Sequence, residues 1–145
     1  MVDVSSKGVS IRQARAQAIV KLGKTIMSEL NNGELVSKKG PVFATAIIAG
    51  TMAAKKTSEL IPFCHSVALE SIKIDIKAID ETSIIIVSDV KTSHKTGVEM
   101  EALVAVNIAA LTVYDMTKAM SQEIEITESY LLAKTGGKTD YKRSK

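Results

Sequence analysis

The chain has a single cysteine, Cys64, so no disulfide can form within it, and its two histidines leave no Cys/His zinc pattern. Such cysteine usage suits a reducing, intracellular compartment. Tryptophan is absent, and three tyrosines with two phenylalanines bring the aromatic share to only 3%. The core must therefore be built from Ile, Val, Leu, Ala and Met. The N-terminal Met1-Val2-Asp3-Val4-Ser5 lacks a basic stretch followed by an apolar one, so no secretory signal is expected. The longest nearly uncharged run, Ala102 to Tyr114, reads as too short to span a bilayer, and it contains Asn107. The expectation is a soluble, cytoplasmic protein. Charge of one sign is also scarce: 19 basic against 16 acidic residues leave a net charge of +3. That permits an anionic ligand without implying nucleic acid.

What is present fits one globular domain spanning residues 1–145, with 46% hydrophobic and 24% charged residues. A chain of this size buries about 70% of its extended surface and needs no cross-links. From Ile11 to Leu22 the apolar side chains Ala14, Ala16, Ala18, Val20 and Leu22 alternate with polar ones, the pattern of a half-buried strand. A short helix is expected over Thr25–Leu30, ending at Asn31-Asn32-Gly33. Lys38 to Pro41 reads as a loop with Pro41 opening a buried helix over Val42–Lys56. Thr57–Ser66 reads as irregular, broken by Pro62.

Ile72, Ile74 and Ile76 alternate with charged residues. Asp80-Glu81-Thr82 is a turn, and Ser83–Lys91 returns as the partner strand of a hairpin. Ser93 to Gly97 reads as a loop. The longest helix is expected from Val98 to about Met120, apolar on nearly every side at Leu103, Val104, Val106, Ile108, Leu111 and Val113. One small sheet cannot cover such a helix, which predicts subunit contacts. A last strand over Glu123–Leu132 leads into a basic C-terminal tail, residues 134–145. The order is βαββαβ, an α+β ferredoxin-like plan with an antiparallel sheet and helices packed on one face.

Four groups of residues could carry chemistry. Asp115 and Lys118, three apart, share a helix face; they are either a surface ion pair or an acid/base pair. Glu99 and Glu101 suit a helix N-terminus on dipole grounds alone. Two apart, they cannot share a helical face, so a ligand touching both needs one outside the helix. Cys64 and His65 point to opposite sides in extended chain. That disfavours a dyad and leaves Cys64 as packing, and His65 as a structural residue or a proton carrier. Lys134, Gly136, Gly137 and Lys138 could hold an anion with free amides and two charges, or could be a frayed tail ending in Lys145. The spacing is not that of a P-loop.

In order along the chain these segments resemble the molybdenum-cofactor biosynthesis protein C family, the cyclic pyranopterin monophosphate synthases. The matching residues are Met1–Ser5, Ala44-Thr45-Ala46 through Ala49-Gly50 to Ala53-Ala54-Lys55, and Leu60-Ile61-Pro62-Phe63-Cys64-His65. Lys95–Leu103, Ala109–Met116 with Lys118, and Leu131–Lys138 complete the match. The resemblance implies a ferredoxin-like subunit in a hexamer, a trimer of dimers, with active sites shared between chains. It implies conversion of 3′,8-cyclo-7,8-dihydroguanosine 5′-triphosphate to cyclic pyranopterin monophosphate with release of pyrophosphate, a phosphorus–oxygen lyase reaction. By position, Asp115 and Lys118 look like the acid/base pair; burial would lower the lysine's pKa and the carboxylate would raise it, and the sequence leaves the net direction open. Phe63, Cys64, His65, Glu99, Met100 and Glu101 look like pocket residues, and Arg12, Lys39, Lys55, Lys134 and Lys138 like a basic wall. No cofactor is required by the sequence, and Mg²⁺ could accompany the triphosphate.

The chain departs from the family pattern at Ser66, where proline is usual, and at Thr117, where cysteine is frequent. A contribution from a longer N-terminal arm is expected to be absent. Two other classes compete. An RNA-binding ferredoxin-like domain needs strand aromatics, and only Tyr130 is expected on a strand. A non-catalytic nucleotide-binding module would share the basic wall but make no product.

Overall fold

A computed structural model describes residues 1–144. The first strand, β1 (Ser10–Lys21), is the spine of the sheet. It pairs antiparallel with β5 (Ser83–His94) along its whole length and with β6 (Glu125–Thr135) on its other edge. With β4 (Ser71–Ala78) and β7 (Tyr141–Lys142) outside them, the order is β4-β5-β1-β6-β7. The expected α+β, ferredoxin-like plan holds.

The alternation read from the sequence sets the inner face. Ala14, Ala16, Ala18 and Val20 of β1 and Ile84, Ile86 and Val90 of β5 are all buried there. Small side chains on β1 let the long helix α4 (Glu99–Thr117) lie close, sharing their core with Ala102, Val106, Ala109 and Val113. Two hydroxyls on this dry face are satisfied by nearby carbonyls. Ser88 donates to Ala102 O at 2.8 Å and Thr92 to Ala68 O at 2.6 Å, which removes the cost of burying them. The second long helix, α2 (Val42–Ala54), packs beside α4 and over β4. At their crossing a methyl group on Gly50 would sit 2.6 Å from Ala105 O, so glycine sets the helix spacing.

Several boundaries differ from expectation. The first helix, α1 (Lys24–Met27), is one turn, followed by a hairpin of β2 (Val36–Ser37) and β3 (Gly40–Pro41). Pro41 is thus the residue before α2 rather than its first turn. Thr57–Leu60 forms a helical turn, α3, inside the segment read as irregular. Ser93 and His94 are strand, because full-length pairing with Ile11 and Ser10 overrides their loop-like composition. The long helix stops at Thr117, short of Met120.

The C-terminal segment is no frayed tail. Lys134 and Thr135 end β6, and Tyr141 and Lys142 fold back as β7 against Lys134 and Ala133. Arg143 N donates to Leu132 O at 2.8 Å, and its guanidinium lies 4.0 Å from the Tyr130 ring centre. Tyr141 therefore joins Tyr130 as a strand aromatic. Lys145, the end of the expected tail, lies outside the described residues.

At 19 residues, α4 is long and apolar enough to cross a membrane by length and composition, contrary to the expectation from Ala102–Tyr114. Here it is a core helix, with 56% of that window buried. The sheet and α2 cover most of it. Leu111 stays exposed, and Leu103, Val104 and Ile108 only partly covered, so one chain leaves an apolar stripe.

Candidate functional site

The start of α4 is flanked by two open cavities that share Lys7, Thr96, Gly97 and Glu99. The first, about 450 Å³, is lined by Phe63, Cys64, His65, Glu99, Met100 and Glu101, the six residues expected to form a pocket. The segment after α3 supplies three of them and the first turn of α4 the others. Both glutamates reach one cavity although both are helical, because it abuts the open end of the helix and not its side. The requirement that one lie outside the helix is therefore corrected.

Glu101 is only 4% exposed. Burial pushes its carboxyl above the ordinary carboxylate range, and the Glu99 charge adds to that. Burial and Glu101 also push the Cys64 thiol up, the reverse of what a nucleophile needs. His65 Nε2 is 2.8 Å from Val2 O, so the N-terminal segment, and not Cys64, orients this ring.

The second cavity, about 520 Å³, contains Arg12 from β1, Lys134 from β6, and Gly136, Gly137 and Lys138 from the β6–β7 turn. Arg12 donates to Lys95 O at 3.4 Å, while its Nε is buried with no partner among the described residues. Gly136 has φ +83°, and a side chain there would run into Ile11 O, so the turn needs glycine. Its amide is not free for an anion, because it donates to Asp140 Oδ1 at 3.0 Å. The cationic side chains, not a nest of amides, give this cavity its charge.

Asp115 and Lys118 lie elsewhere. They occupy the far end of α4, about 24 Å along the axis from Glu99 at 1.5 Å per residue. Lys118 Nζ is 2.8 Å from Asp115 Oδ1, and Lys39 Nζ is 2.6 Å from Oδ2. These side chains are about half exposed. Hydrogen bonds from Lys118 and Lys39 pull the Asp115 carboxyl down to about 2, and Asp115 raises Lys118. Of the two opposed influences on Lys118 the carboxylate prevails, because too little burial opposes it. Within one chain Lys39 belongs to this cluster and lines neither cavity. Lys55 is the C-cap residue of α2 and lines neither cavity.

Sequence reasoning missed Glu34. Its carboxylate accepts from Phe43 N at 2.7 Å and Ala44 N at 3.0 Å, capping α2 from outside the helix. Its own hydrogen bond from Leu35 N at 2.8 Å ties it to the start of the Lys39 hairpin. An acidic residue eight positions before a helix gives no capping signal in sequence. A third cavity, about 420 Å³ on the outer sheet face beside Arg15, Lys73 and Lys91, holds one candidate from the sequence, Lys134.

Comparison with known proteins gives the relationship. The chain is 53% identical over 143 residues to a "Cyclic pyranopterin monophosphate synthase" of Syntrophomonas wolfei, covering 97% of this chain and 89% of the relative. It is 52% identical over 144 residues to a "Molybdenum cofactor biosynthesis bifunctional protein" of Synechocystis, covering 97% and 42%. Identity is 49% over 155 residues to "Molybdenum cofactor biosynthesis protein 1" of Dictyostelium discoideum, covering 96% and 25%. The chain thus spans less than half of two of these longer relatives. The model of the MoaC family matches residues 1–137, which takes in both cavities almost entirely and the Asp115 cluster. The chain belongs to the MoaC family.

Proposed function

We propose that this chain is a cyclic pyranopterin monophosphate synthase. It acts as a phosphorus–oxygen lyase on 3′,8-cyclo-7,8-dihydroguanosine 5′-triphosphate in molybdenum-cofactor biosynthesis. The observation that carries the reading is the adjoining pair of cavities: one holds a buried carboxyl and an imidazole, the other five cationic side chains, Lys7, Arg12, Lys95, Lys134 and Lys138. A heterocycle joined to a triphosphate has those two needs. Hydrogen bonding by Glu101 and His65 would orient the ring, and Arg12, Lys134 and Lys138 would bind the phosphates. Mg²⁺ would arrive with the triphosphate.

Two bond changes are required. Purine ring opening and reclosure need protons delivered to and taken from ring atoms. Lys118, kept protonated by Asp115, is the proton donor, and Asp115 with Lys39 keeps it in place. Cyclic phosphate formation has a hydroxyl attack the α-phosphorus as the bond to the β-phosphate oxygen breaks and pyrophosphate leaves. Cations on the departing oxygens stabilise that charge.

Because Asp115 lies a helix length from Glu99, a complete site takes its acid end from a second copy. The apolar stripe on α4 and exposed Ile48 and Met52 on α2 supply a surface for that contact. The reading extends to a hexamer built as a trimer of dimers, working in the cytoplasm.

Incubating the chain with the cyclic dihydroguanosine triphosphate tests it. Pterin fluorescence after oxidation is the expected result. Binding without a pterin would instead identify a non-catalytic nucleotide-binding module.

A further inference from the structure

Glu99 stands at the junction of the two cavities, and its place depends on a residue with no side chain. Its Oε1 is 3.0 Å from Lys134 Nζ, with the two side chains 31% and 37% exposed. Every other ion pair among the described residues is at least half exposed. A methyl group built on Gly97 would collide with the Glu99 carboxylate, so the carboxylate fills the space that any larger residue would take. Among the described residues Glu99 is also the one carboxylate lining the cavity of Arg12, Lys134 and Lys138.

We propose that the Glu99–Lys134 pair is a latch on the anion cavity. In the empty site Glu99 neutralises Lys134. An entering phosphate displaces it, freeing the carboxylate for the adjoining cavity, which Glu99 also lines. The inference rests on the phosphate reading of this cavity given above. The chemistry is competition between two anions for one ammonium group. A carboxylate tethered to α4 is always present at high effective concentration, so it returns when the phosphate leaves. Binding is weakened by that competition, and release of pyrophosphate is helped by it. Gly97 makes the competition possible, since only a residue without Cβ lets the carboxylate lie against the loop.

Calorimetric titration of inorganic pyrophosphate into the full chain tests the latch. Glu99→Gln should tighten binding by about tenfold, the equivalent of one charge-assisted hydrogen bond at the weak end of its range. Gly97→Ala should tighten it too, because the methyl group moves the carboxylate while leaving its charge. Gly97 lies outside the left-handed region, so alanine fits the backbone. Lys134→Ala should weaken binding, and in that background Glu99→Gln should gain nothing. An equal gain from Glu99→Gln with and without Lys134 would mean only a field effect and would overturn the latch, as would no gain in either. Should Gly97→Ala fail to fold by circular dichroism, the Glu99/Lys134 cycle decides alone. If pyrophosphate binds neither wild type nor any variant, the phosphate reading itself fails and the latch with it.

Discussion

Lys39 Nζ lies 2.6 Å from Oδ2 of Asp115 and 3.1 Å from that residue's carbonyl oxygen, although the two are 76 positions apart. Lys118 takes the other carboxylate oxygen from the next turn of the helix. One carboxylate between two ammonium groups has a defined acid–base signature. Hydrogen bonds from Lys118 first and Lys39 second hold Asp115 at about 2, below its ordinary 3.8. A group depressed on folding stabilises the fold while ionised, so this contribution is complete above 3.8 and fades as pH falls toward about 2. An NMR titration of the Asp115 carboxyl should find its midpoint near the lower value. Lys118→Ala should move it up further than Lys39→Ala. A midpoint already at the ordinary value in wild type would contradict the cluster.

That cluster was half legible in sequence. Asp115 and Lys118 show themselves by spacing, because helix geometry puts residues three apart on one face. Lys39 does not, since its approach depends on a two-strand hairpin whose sequence, Val36 to Pro41, lacks alternation. Strands β1 and β4 were readable from alternation, and the two long helices from the length and apolar composition of their segments. The fold-back of β7 was not, because two residues pairing with a strand end leave no pattern. The two cavities were readable as residue types and not as a place, since the α3–β4 segment meets the start of α4 only through tertiary packing.

Glu34 should matter beyond its own site. Its carboxylate caps α2 and anchors the hairpin carrying Lys39, so Glu34→Ala should cost about 1 kcal/mol, the usual worth of a cap. It should also raise the Asp115 midpoint by loosening Lys39. Denaturant melts and the same NMR titration read both effects. A stability loss with no change at Asp115 would limit Glu34 to capping.

Gly50 tests the helix spacing. A methyl group there faces Ala105 O at 2.6 Å and Ile74 Cδ1 at 2.7 Å, and the backbone oxygen cannot yield cheaply. Gly50→Ala should cost about 1–3 kcal/mol, as overpacking does, despite the helix-propensity gain from replacing glycine. Thermal unfolding followed by circular dichroism should show a Tm several degrees lower. An unchanged or higher Tm would mean the helices separate without penalty.

Lys118→Ala should fold and still bind substrate, because Arg12, Lys134 and Lys138 make the phosphate cavity. Product formation should fall at least about a hundredfold, the lower end for a lost general acid. Asp115→Asn should show a similar loss, and the double variant should be little worse than either single, as for groups acting as a unit. Turnover near wild type in Lys118→Ala would leave the pair as a helix-end ion pair.

The separation of Glu101 from Lys118 gives the decisive test of a shared site. They sit at opposite ends of α4, and no rotation of either side chain crosses that distance. If catalysis needs both, each working site joins the Glu101 end of one chain to the Lys118 end of another. Glu101→Gln and Lys118→Ala should then each be nearly inactive alone. Co-expressed, they should complement, because a mixed pair has one site with both residues intact and one with neither. Random pairing makes half the dimers mixed and half their sites whole, so activity should return to about a quarter of wild type. Purification through different tags on the two variants isolates the mixed species, where half the sites should work. Recovery at that level requires the two residues to act across a subunit boundary. No recovery, with mixed assemblies shown to form by mass, would place both functions within one chain and overturn the shared site.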